Sequence, residues 1–268
     1  MERLTTHSIL VHLAVKYEGE WDRIYDAIKR KEHLEPNEVA STNKALKCKT
    51  TTLMDSDYPP SLKKIYKPPL VLFYYGDLSL VSEEEKCVSY VGSRDSSTYG
   101  NKMAEILAGG IAKEGFTIVS GMARGIDGVA TRAALDAGGK AVAVLGTGID
   151  FPYPSSNTDL YKRIKEEGLV LSERPGRYPP SQDKDTFPAR NRIIAGLSKL
   201  TIVGEANRHS GTLITVGYAL DFGKDVACVP SHADEDSACN LLIRDGAPVV
   251  CSTMDALDLL GWVKEKGD

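Results

Sequence analysis

Short apolar runs alternate with stretches of helical periodicity over most of this chain, from about residue 70 to residue 262. Short apolar runs predict buried strands, and apolar residues three and four positions apart predict helices packed on one face. The predicted strands are Leu70–Gly76, Cys87–Val91, Thr117–Val119, Ala141–Leu145, Leu169–Ser172, Leu200–Val203 and Asp225–Val229. Strands that alternate with helices form parallel βαβ units with right-handed crossovers. We therefore expect an α/β fold on one doubly wound, mostly parallel sheet.

The N-terminal part of the chain has a different pattern. Two apolar stripes occur there at helical spacing, and they consist of Ile9, Leu10, Leu13, Ala14 and Tyr17, then of Trp21, Ile24, Tyr25 and Ile28. The polar stretch from 36 to 49 has room for a third short helix. We therefore expect two domains, a small helical one over residues 1–52 and the α/β domain over residues 53–268.

Composition sets limits on the class of protein. The chain has 268 residues, 42% of them hydrophobic, and a net charge of −4, so a nucleic-acid-binding surface would have to be a local basic patch. Five cysteines without a CxxC pair are typical of free thiols in a reducing cytosol and predict no metal site. The sequence shows no signal peptide and no apolar run long enough to span a bilayer. We expect a cytoplasmic protein that does not contact membranes.

Small, hydroxyl-bearing and glycine-rich loops follow several of the predicted strands. They are Gly92–Ser93–Arg94, Ser120–Gly121, Gly146–Thr147–Gly148 and Ser210–Gly211–Thr212. The carboxyl ends of parallel strands meet at one sheet edge, where ligands of such folds bind. Glycine allows close backbone approach, and the amides at a helix N-terminus attract phosphate. A turn glycine or a helix cap would explain each loop singly. Together the loops predict a phosphate-binding site of a nucleotide or of a nucleic-acid backbone.

The segment from Lys184 to Arg192 adds positive charge and an aromatic ring. Lys184, Arg190 and Arg192 can neutralise phosphates, and Phe187 offers a face on which a base can stack. Asn191 can pair with a base edge or hold the loop. The same residues are also compatible with a core phenylalanine and a solvated helix face, so the segment alone does not decide between the two interpretations.

The sequence contains no recognisable set of catalytic residues. Glu173 and Glu205 follow strands and can orient neighbouring arginines, and His209 is a single histidine beside the Ser210 loop. Neither GxGxxG nor GxxxxGK[ST] occurs, so a dinucleotide or P-loop nucleotide site is not indicated. We therefore predict no catalytic residue, no cofactor and no metal.

An ordered series of motifs resembles the DprA/Smf family of DNA-processing proteins over roughly residues 57 to 262. The matching segments are VGSR at 91–94, SGMARGID at 120–127, AVLGTGID at 143–150, YPSSN at 153–157, LSERPG at 171–176, FPARNRIIAGLS at 187–198, SGTLITVGYAL at 210–220 and NLLIRDGA at 240–247. Such a series is far more specific than any one motif, and FPARNRIIAGLS is its most specific member.

The resemblance implies an extended Rossmann-like fold without established catalytic activity. It implies binding and protection of single-stranded DNA, and delivery of that DNA to the RecA recombinase, past single-strand-binding protein, in natural transformation. It also implies a homodimer. The N-terminal helices would correspond to a small SAM-like or helix-hairpin-helix-like domain. The sequence ends at Asp268, so we expect no C-terminal winged-helix module.

Residue roles carry over from the family by position. Arg94 and Lys184 match DNA-contacting basic residues, and Phe187, Arg190 and Asn191 match the signature around the DNA pocket. The expected DNA-binding set is Gly92, Ser93, Arg94, Ser120, Gly121, Lys184, Phe187, Arg190, Asn191, Arg192, Ser210, Gly211 and Thr212. The dimer contact would use Asn240, Leu241 and Ile243. Ser231 and Ala238 depart from the family pattern in this late segment.

Two other functions remain open on the sequence. Nucleotide-processing hydrolases of related folds carry a catalytic glutamate in a loop that corresponds to His209–Thr215, and this chain has no carboxylate there. A module that senses a mononucleotide would use the same phosphate-binding loops. Release of base from a nucleoside monophosphate would indicate the hydrolase, and binding of a mononucleotide but not of oligonucleotides would indicate the sensor.

Overall fold

The computed structural model describes residues 4–180 and 186–263, and one mixed sheet runs through this part of the chain. Its strands are β1 (Lys49–Thr52), β2 (Val71–Gly76), β3 (Cys87–Gly92), β4 (Thr117–Ser120), β5 (Lys140–Leu145), β6 (Leu169–Ser172), β7 (Leu200–Glu205) and β8 (Asp225–Cys228). They lie in the order β1-β2-β6-β5-β4-β3-β7-β8. β2 is antiparallel to both β1 and β6, and the other pairs are parallel. The expected mostly parallel sheet is confirmed.

Helices cover both faces of the sheet. They are α1 (Thr6–Lys16), α2 (Trp21–Lys29), α3 (Pro36–Ala45), α4 (Thr98–Lys113), α5 (Ile126–Asp136), α6 (Thr158–Glu167), α7 (Thr186–Leu197), α8 (Thr212–Asp221), α9 (Ala238–Arg244) and α10 (Thr253–Leu259). The apolar side chains of α1, α2, α4, α5, α6 and α10 form one core layer. Those of α7, α8 and α9 form the other. A sheet covered on both faces explains why its parallel strands are mostly apolar rather than alternating, whereas the edge strand β1 is polar.

The N-terminal helices lie against this sheet. Leu10, Val11 and Leu13 of α1 are buried in the same core layer as Phe73 of β2. The stretch Lys49–Thr52, which the sequence pattern assigned to the helical domain, is the edge strand β1 and pairs with β2. Over the ranges described, no helix combines the length and the apolarity needed to cross a bilayer.

The strand order reverses at β3. The chain passes from β3 to β4 on one side, whereas β7 occupies the other side and continues to β8. At such a switch point the loops that leave neighbouring strands diverge and open a crevice at the carboxyl edge. The loops after β3 and β4, the first turn of α7 and the start of α8 meet at this crevice.

Candidate functional site

The crevice beside β3 is a cavity of about 450 Å³. Nine of the residues predicted from sequence line it, and they are Gly92, Ser93, Arg94, Phe187, Arg190, Asn191, Ser210, Gly211 and Thr212. Gly121 borders a second, smaller cavity, which shares Arg94, Phe187 and Arg190 with the first. Segments more than 90 residues apart in the chain therefore contribute to one site, as the sheet topology predicts.

Asp127, in the first turn of α5, ties two of the glycine loops together. Its Oδ1 accepts a hydrogen bond from the Gly92 amide at 3.2 Å, and its Oδ2 accepts one from the Gly121 amide at 3.1 Å. Its side chain is buried, and burial raises the pKa of this carboxyl, while the Arg190 charge and the amide donors oppose that shift. Both glycine amides are thus bonded within the protein, so they shape the cavity and are not free donors for a phosphate.

Gly125 allows the loop Gly92–Arg94 to approach the start of α5 closely. It precedes α5 with a φ of 71°, and a Cβ at this position would lie 2.2 Å from the Ser93 carbonyl oxygen. The next residue, Ile126, donates its amide to that same carbonyl at 3.1 Å. A side chain at 125 would therefore push the Gly92–Arg94 loop out of place.

Arg190 crosses beneath the cavity as a buried cation. Its Nη1 donates to the carbonyl of Gly121 at 2.9 Å and to that of Val144, and its Nε donates to Asn191 Oδ1 at 3.1 Å. Burial lowers the pKa of Arg190 to about 10, the nearby Asp127 raises it and Arg94 lowers it further. The guanidinium is still charged at neutral pH, and its bonds to the chain hold α7 against the loop after β4 and the end of β5.

Phe187 and Arg94 form the exposed part of the site. The guanidinium carbon of Arg94 lies 5.4 Å from the centre of the half-buried Phe187 ring, within cation–π range. A Cβ on Gly146 would come within 2.7 Å of this ring, so the glycine after β5 makes room for it. Arg94 itself is exposed. Cation and ring together provide a surface that suits both a flat aromatic group and an anion.

The start of α8 forms the opposite wall. Ser210 Oγ accepts a hydrogen bond from the Thr212 amide at 3.2 Å and donates to Thr212 Oγ1 at 2.9 Å. The N-cap residue of α8 is Gly211, and the Ser210 hydroxyl satisfies the amide of Thr212, the first residue of the helix. Asn191, half-buried on α7, lies on the floor between the two walls.

Two of the predicted residues that the structure describes, Ser120 and Arg192, line neither of these cavities. Ser120 is buried, and its hydroxyl donates to the Tyr90 carbonyl at 2.6 Å. Arg192 is buried too, and its two terminal nitrogens pair with the Glu173 carboxylate at 2.6 Å each. The first stabilises the sheet, and the second ties α7 to the end of β6. Lys184 lies outside the described residues.

Glu205 has a structural role beside the cavity. Its carboxylate accepts hydrogen bonds from the Ser97 amide at 3.1 Å and from the Ser97 hydroxyl at 2.6 Å, just ahead of α4. Glu173 orients an arginine, as the sequence suggested, whereas Glu205 fixes the start of a helix. Asp127 is not among the residues predicted from sequence. A carboxylate in the first turn of α5 is visible in the motif SGMARGID, but its amide partners come from two loops that only the fold brings together.

The residues predicted for a dimer contact lie on α9. Asn240 holds the preceding loop, because its Nδ2 donates to the Ser231 and His232 carbonyls at 3.1 and 3.2 Å and its Oδ1 accepts from the Ser231 amide at 3.0 Å. Leu241 and Ile243 are half-buried. The departure at Ser231 is therefore accommodated by backbone contacts to Asn240.

Fold and site together define a Rossmann-like α/β protein with its ligand cavity at the switch point of the sheet. The family model described as DNA recombination-mediator protein A matches residues 49–261. Protein Smf of Synechocystis sp. is 43% identical over 213 residues, which are 78% of this chain and 53% of that protein. DNA processing protein DprA of Streptococcus pneumoniae is 44% identical over 209 residues, 77% of this chain and 72% of that protein.

Solved structures of DNA processing protein A are also similar to this chain. The chain is similar to the X-ray structure of DNA processing protein A from Streptococcus pneumoniae, with a TM-score of 0.77, 38% identity and coverage of 95% of this chain and 93% of the other. It is also similar to DNA processing protein A from Helicobacter pylori, in a structure that describes its single-stranded DNA binding mode, with a TM-score of 0.72, 28% identity and coverage of 80% and 96%. The chain belongs to the DNA recombination-mediator protein A family, also named DprA/Smf.

Proposed function

We propose that this chain binds single-stranded DNA in the cavity beside β3. The observation that carries the proposal is the exposed Arg94 guanidinium, 5.4 Å from the Phe187 ring centre at the mouth of the cavity. A base stacked on Phe187 would place its phosphate within reach of Arg94, which combines the two contacts typical of single-strand binding. The single-strand binding mode described for the H. pylori relative supports the same assignment.

In this proposal the other residues of the cavity contribute in two ways. The hydroxyls of Ser210 and Thr212 and the amide of Asn191 line the cavity and are the groups suited to phosphate or base edges. Arg190 and Asp127 act indirectly, because their polar atoms are occupied by the backbone of the loops. Lys184 stays a proposed contact on the family resemblance alone.

A binding protein is favoured over a hydrolase by the state of the carboxylates. Asp127 lines the cavity, and its carboxylate accepts hydrogen bonds from the Gly92 and Gly121 amides, so it is not free to activate a water. Asp95 lines the same cavity as an exposed carboxylate 3.8 Å from Arg124, and the loop His209–Thr215, where related hydrolases carry their glutamate, has no carboxylate. Family membership supports the wider proposal of a cytoplasmic mediator that protects incoming DNA and loads RecA past single-strand-binding protein in natural transformation. It also supports a homodimer that uses the α9 segment. The division between residues 1–52 and 53–268 stays a prediction, in which Lys49–Thr52 would cross the boundary, because these residues pair with β2 in the sheet.

Fluorescence anisotropy with labelled oligothymidylate tests the binding proposal. We expect Arg94→Ala to weaken binding about tenfold or more, and Phe187→Ala to weaken it by a similar factor, since stacking contributes about 1–3 kcal/mol per base. The matched control is Arg132→Ala on α5, because Arg132 lies in a different groove. If Arg94→Ala and Phe187→Ala both bind like the parent protein, the site is misassigned.

Two further measurements separate the alternatives. Competition by thymidine monophosphate without any binding of oligonucleotides would support a mononucleotide sensor instead. A RecA strand-exchange reaction on DNA coated with single-strand-binding protein tests the mediator role, and no acceleration by a protein that still binds DNA would contradict that role.

A further inference from the structure

We propose that Tyr153 and Arg124 form a second nucleotide position beside Phe187, so that the single strand leaves the main cavity across the Phe187 ring. This inference rests on the proposed function and extends it to two adjacent nucleotides. The two residues belong to the motifs SGMARGID and YPSSN, of which only Ala123 and Asp127 line the main cavity.

A small cavity of about 80 Å³ continues from the main one. Arg94, Phe187 and Arg190 line both, and the far wall of the small cavity carries Arg124 and Tyr153. The Phe187 ring and the Arg94 side chain therefore stand between two concave surfaces. A ligand that fills the main cavity and is longer than one nucleotide reaches the second surface by passing over this pair.

Tyr153 provides a second aromatic face next to the first. Its ring centre lies 5.6 Å from that of Phe187 at an interplanar angle of 43°, and 39% of the residue is exposed. Base–aromatic stacking tolerates any sequence, because every base has a π-face, and a duplex offers no such free faces inside its stack. Two adjacent rings therefore suit two successive bases of a single strand.

The loop that carries Tyr153 is fixed to the loop that carries Arg124. Asn157 Nδ2 donates to the carbonyls of Met122 and Ala123 at 3.0 and 3.1 Å. Met122 has a φ of 55° and is fully buried, so this turn is held in one conformation by its surroundings. The loops that carry Tyr153 and Arg124 are thus held in a fixed position relative to each other.

Arg124 supplies a cation for the second phosphate. Its side chain is 63% exposed, and it lies 3.8 Å from a carboxylate oxygen of Asp95, whose side chain is 92% exposed. An ion pair this long and this exposed is weak and screened by salt. A phosphate that approaches Arg124 can therefore replace Asp95 at little cost.

A double-mutant cycle with oligothymidylate of about 16 nucleotides tests the second position. We expect Tyr153→Ala to weaken binding about fivefold or more, Tyr153→Phe to retain it, and the losses of Tyr153→Ala and Phe187→Ala to multiply in the double variant. Arg124→Ala should reduce the slope of log affinity against log salt by about 0.7, and Arg124→Lys should restore it. The matched controls are Tyr25→Ala, an exposed tyrosine on α2, and Arg132→Ala.

Photocrosslinking with 5-iodouracil oligonucleotides gives an independent readout of stacking, and mass spectrometry of the products should find adducts at both Phe187 and Tyr153. An adduct at Phe187 without one at Tyr153, or a double variant that binds no worse than Phe187→Ala alone, would overturn the second position and leave the proposed function intact. If Arg94→Ala and Phe187→Ala do not affect binding, the proposed function itself fails, and this inference fails with it.

Discussion

At the scale of single residues, two arginines of similar appearance have separate roles. The sequence placed Arg190 and Arg192 together as phosphate contacts, but residues two positions apart on a helix do not share a face. Arg190 points under the cavity towards Gly121, and Arg192 points towards Glu173 at the end of β6. Helical spacing alone could have separated them. The role of Asp127 could not be read from sequence, because it depends on which loops the fold brings to one carboxylate.

Gly121 shows how tightly this residue network is packed. A Cβ there would lie 2.6 Å from Arg190 Nη2 and 2.7 Å from Asp127 Oδ2. Because either charge would have to move, we expect Gly121→Ala to lower the free energy of unfolding by about 1–3 kcal/mol, as measured by urea denaturation. The control is Gly217→Ala in α8, where a Cβ meets nothing within 4 Å and alanine should stabilise the helix by up to about 1 kcal/mol. Equal effects of the two substitutions would contradict the packing described.

At the scale of helices and strands, short apolar runs predicted seven of the eight strands in the described part of the chain. The edge strand β1 was missed, because Lys49–Thr52 is short and polar and becomes a strand through its pairing with β2. α7 begins at Thr186 and includes Pro188 in its first turn, a position where a helix tolerates proline. Elements that depend on local pattern were thus predictable, and elements that depend on a neighbour were not.

One carboxylate joins the C-terminal end of α1 to the C-terminal end of α2. Glu32 accepts hydrogen bonds from Arg30, from Lys16 Nζ at 2.7 Å and from the Tyr17 hydroxyl at 2.6 Å. These donors, Arg30 first, lower the pKa of Glu32 to about 2. A carboxyl with a lowered folded-state pKa stabilises the fold above its unfolded value of 4.5, and this contribution is lost as the pH falls from 4.5 towards 2.

Glu32→Gln should therefore lower the Tm at pH 7 by about 2–4 °C, the shift that about 1 kcal/mol produces in a protein of this size. The difference from the parent protein should narrow as the pH is lowered below about 4.5, as followed by circular dichroism. Glu35→Gln is the control, because the Glu35 side chain is 64% exposed. A Tm difference between Glu32→Gln and the parent protein that stays constant from pH 7 down to pH 3 would show that the charge of Glu32 does not cause the destabilisation.

At the scale of the whole molecule, the N-terminal helices and the sheet share contacts that the proposed division into two domains would not suggest. Trp21 Nε1 donates to the Pro68 carbonyl at 2.8 Å, and Arg174 Nη1 donates to the Glu18 carbonyl at 3.0 Å. Gly19, with a φ of 75°, lies so close to Glu173 that a Cβ would be 2.2 Å from its carbonyl oxygen. Periodicity does not show contacts between distant segments, so the change from helical stripes to strand–helix alternation suggested a separation.

We expect these contacts to make the N-terminal helices and the sheet unfold in one cooperative transition. The chain has two tryptophans, so Trp262→Phe leaves Trp21 as the fluorescent reporter of the junction. In that variant the midpoint of the Trp21 fluorescence change should coincide with the midpoint followed by far-ultraviolet circular dichroism. An earlier fluorescence transition would show that the N-terminal helices detach before the sheet unfolds.

The bonds of Asp127 to Gly92 and Gly121 join two loops of the cavity through protein groups alone. Walls that are fixed in advance lose little conformational freedom when a ligand enters, so most of the entropic cost of binding falls on the flexible strand itself. The association rate should then follow the frequency of collision and the ionic strength, with no slow loop rearrangement. Differences in affinity between DNA single strands would then appear in the dissociation rate, that is, in how long each DNA strand stays stacked on Phe187.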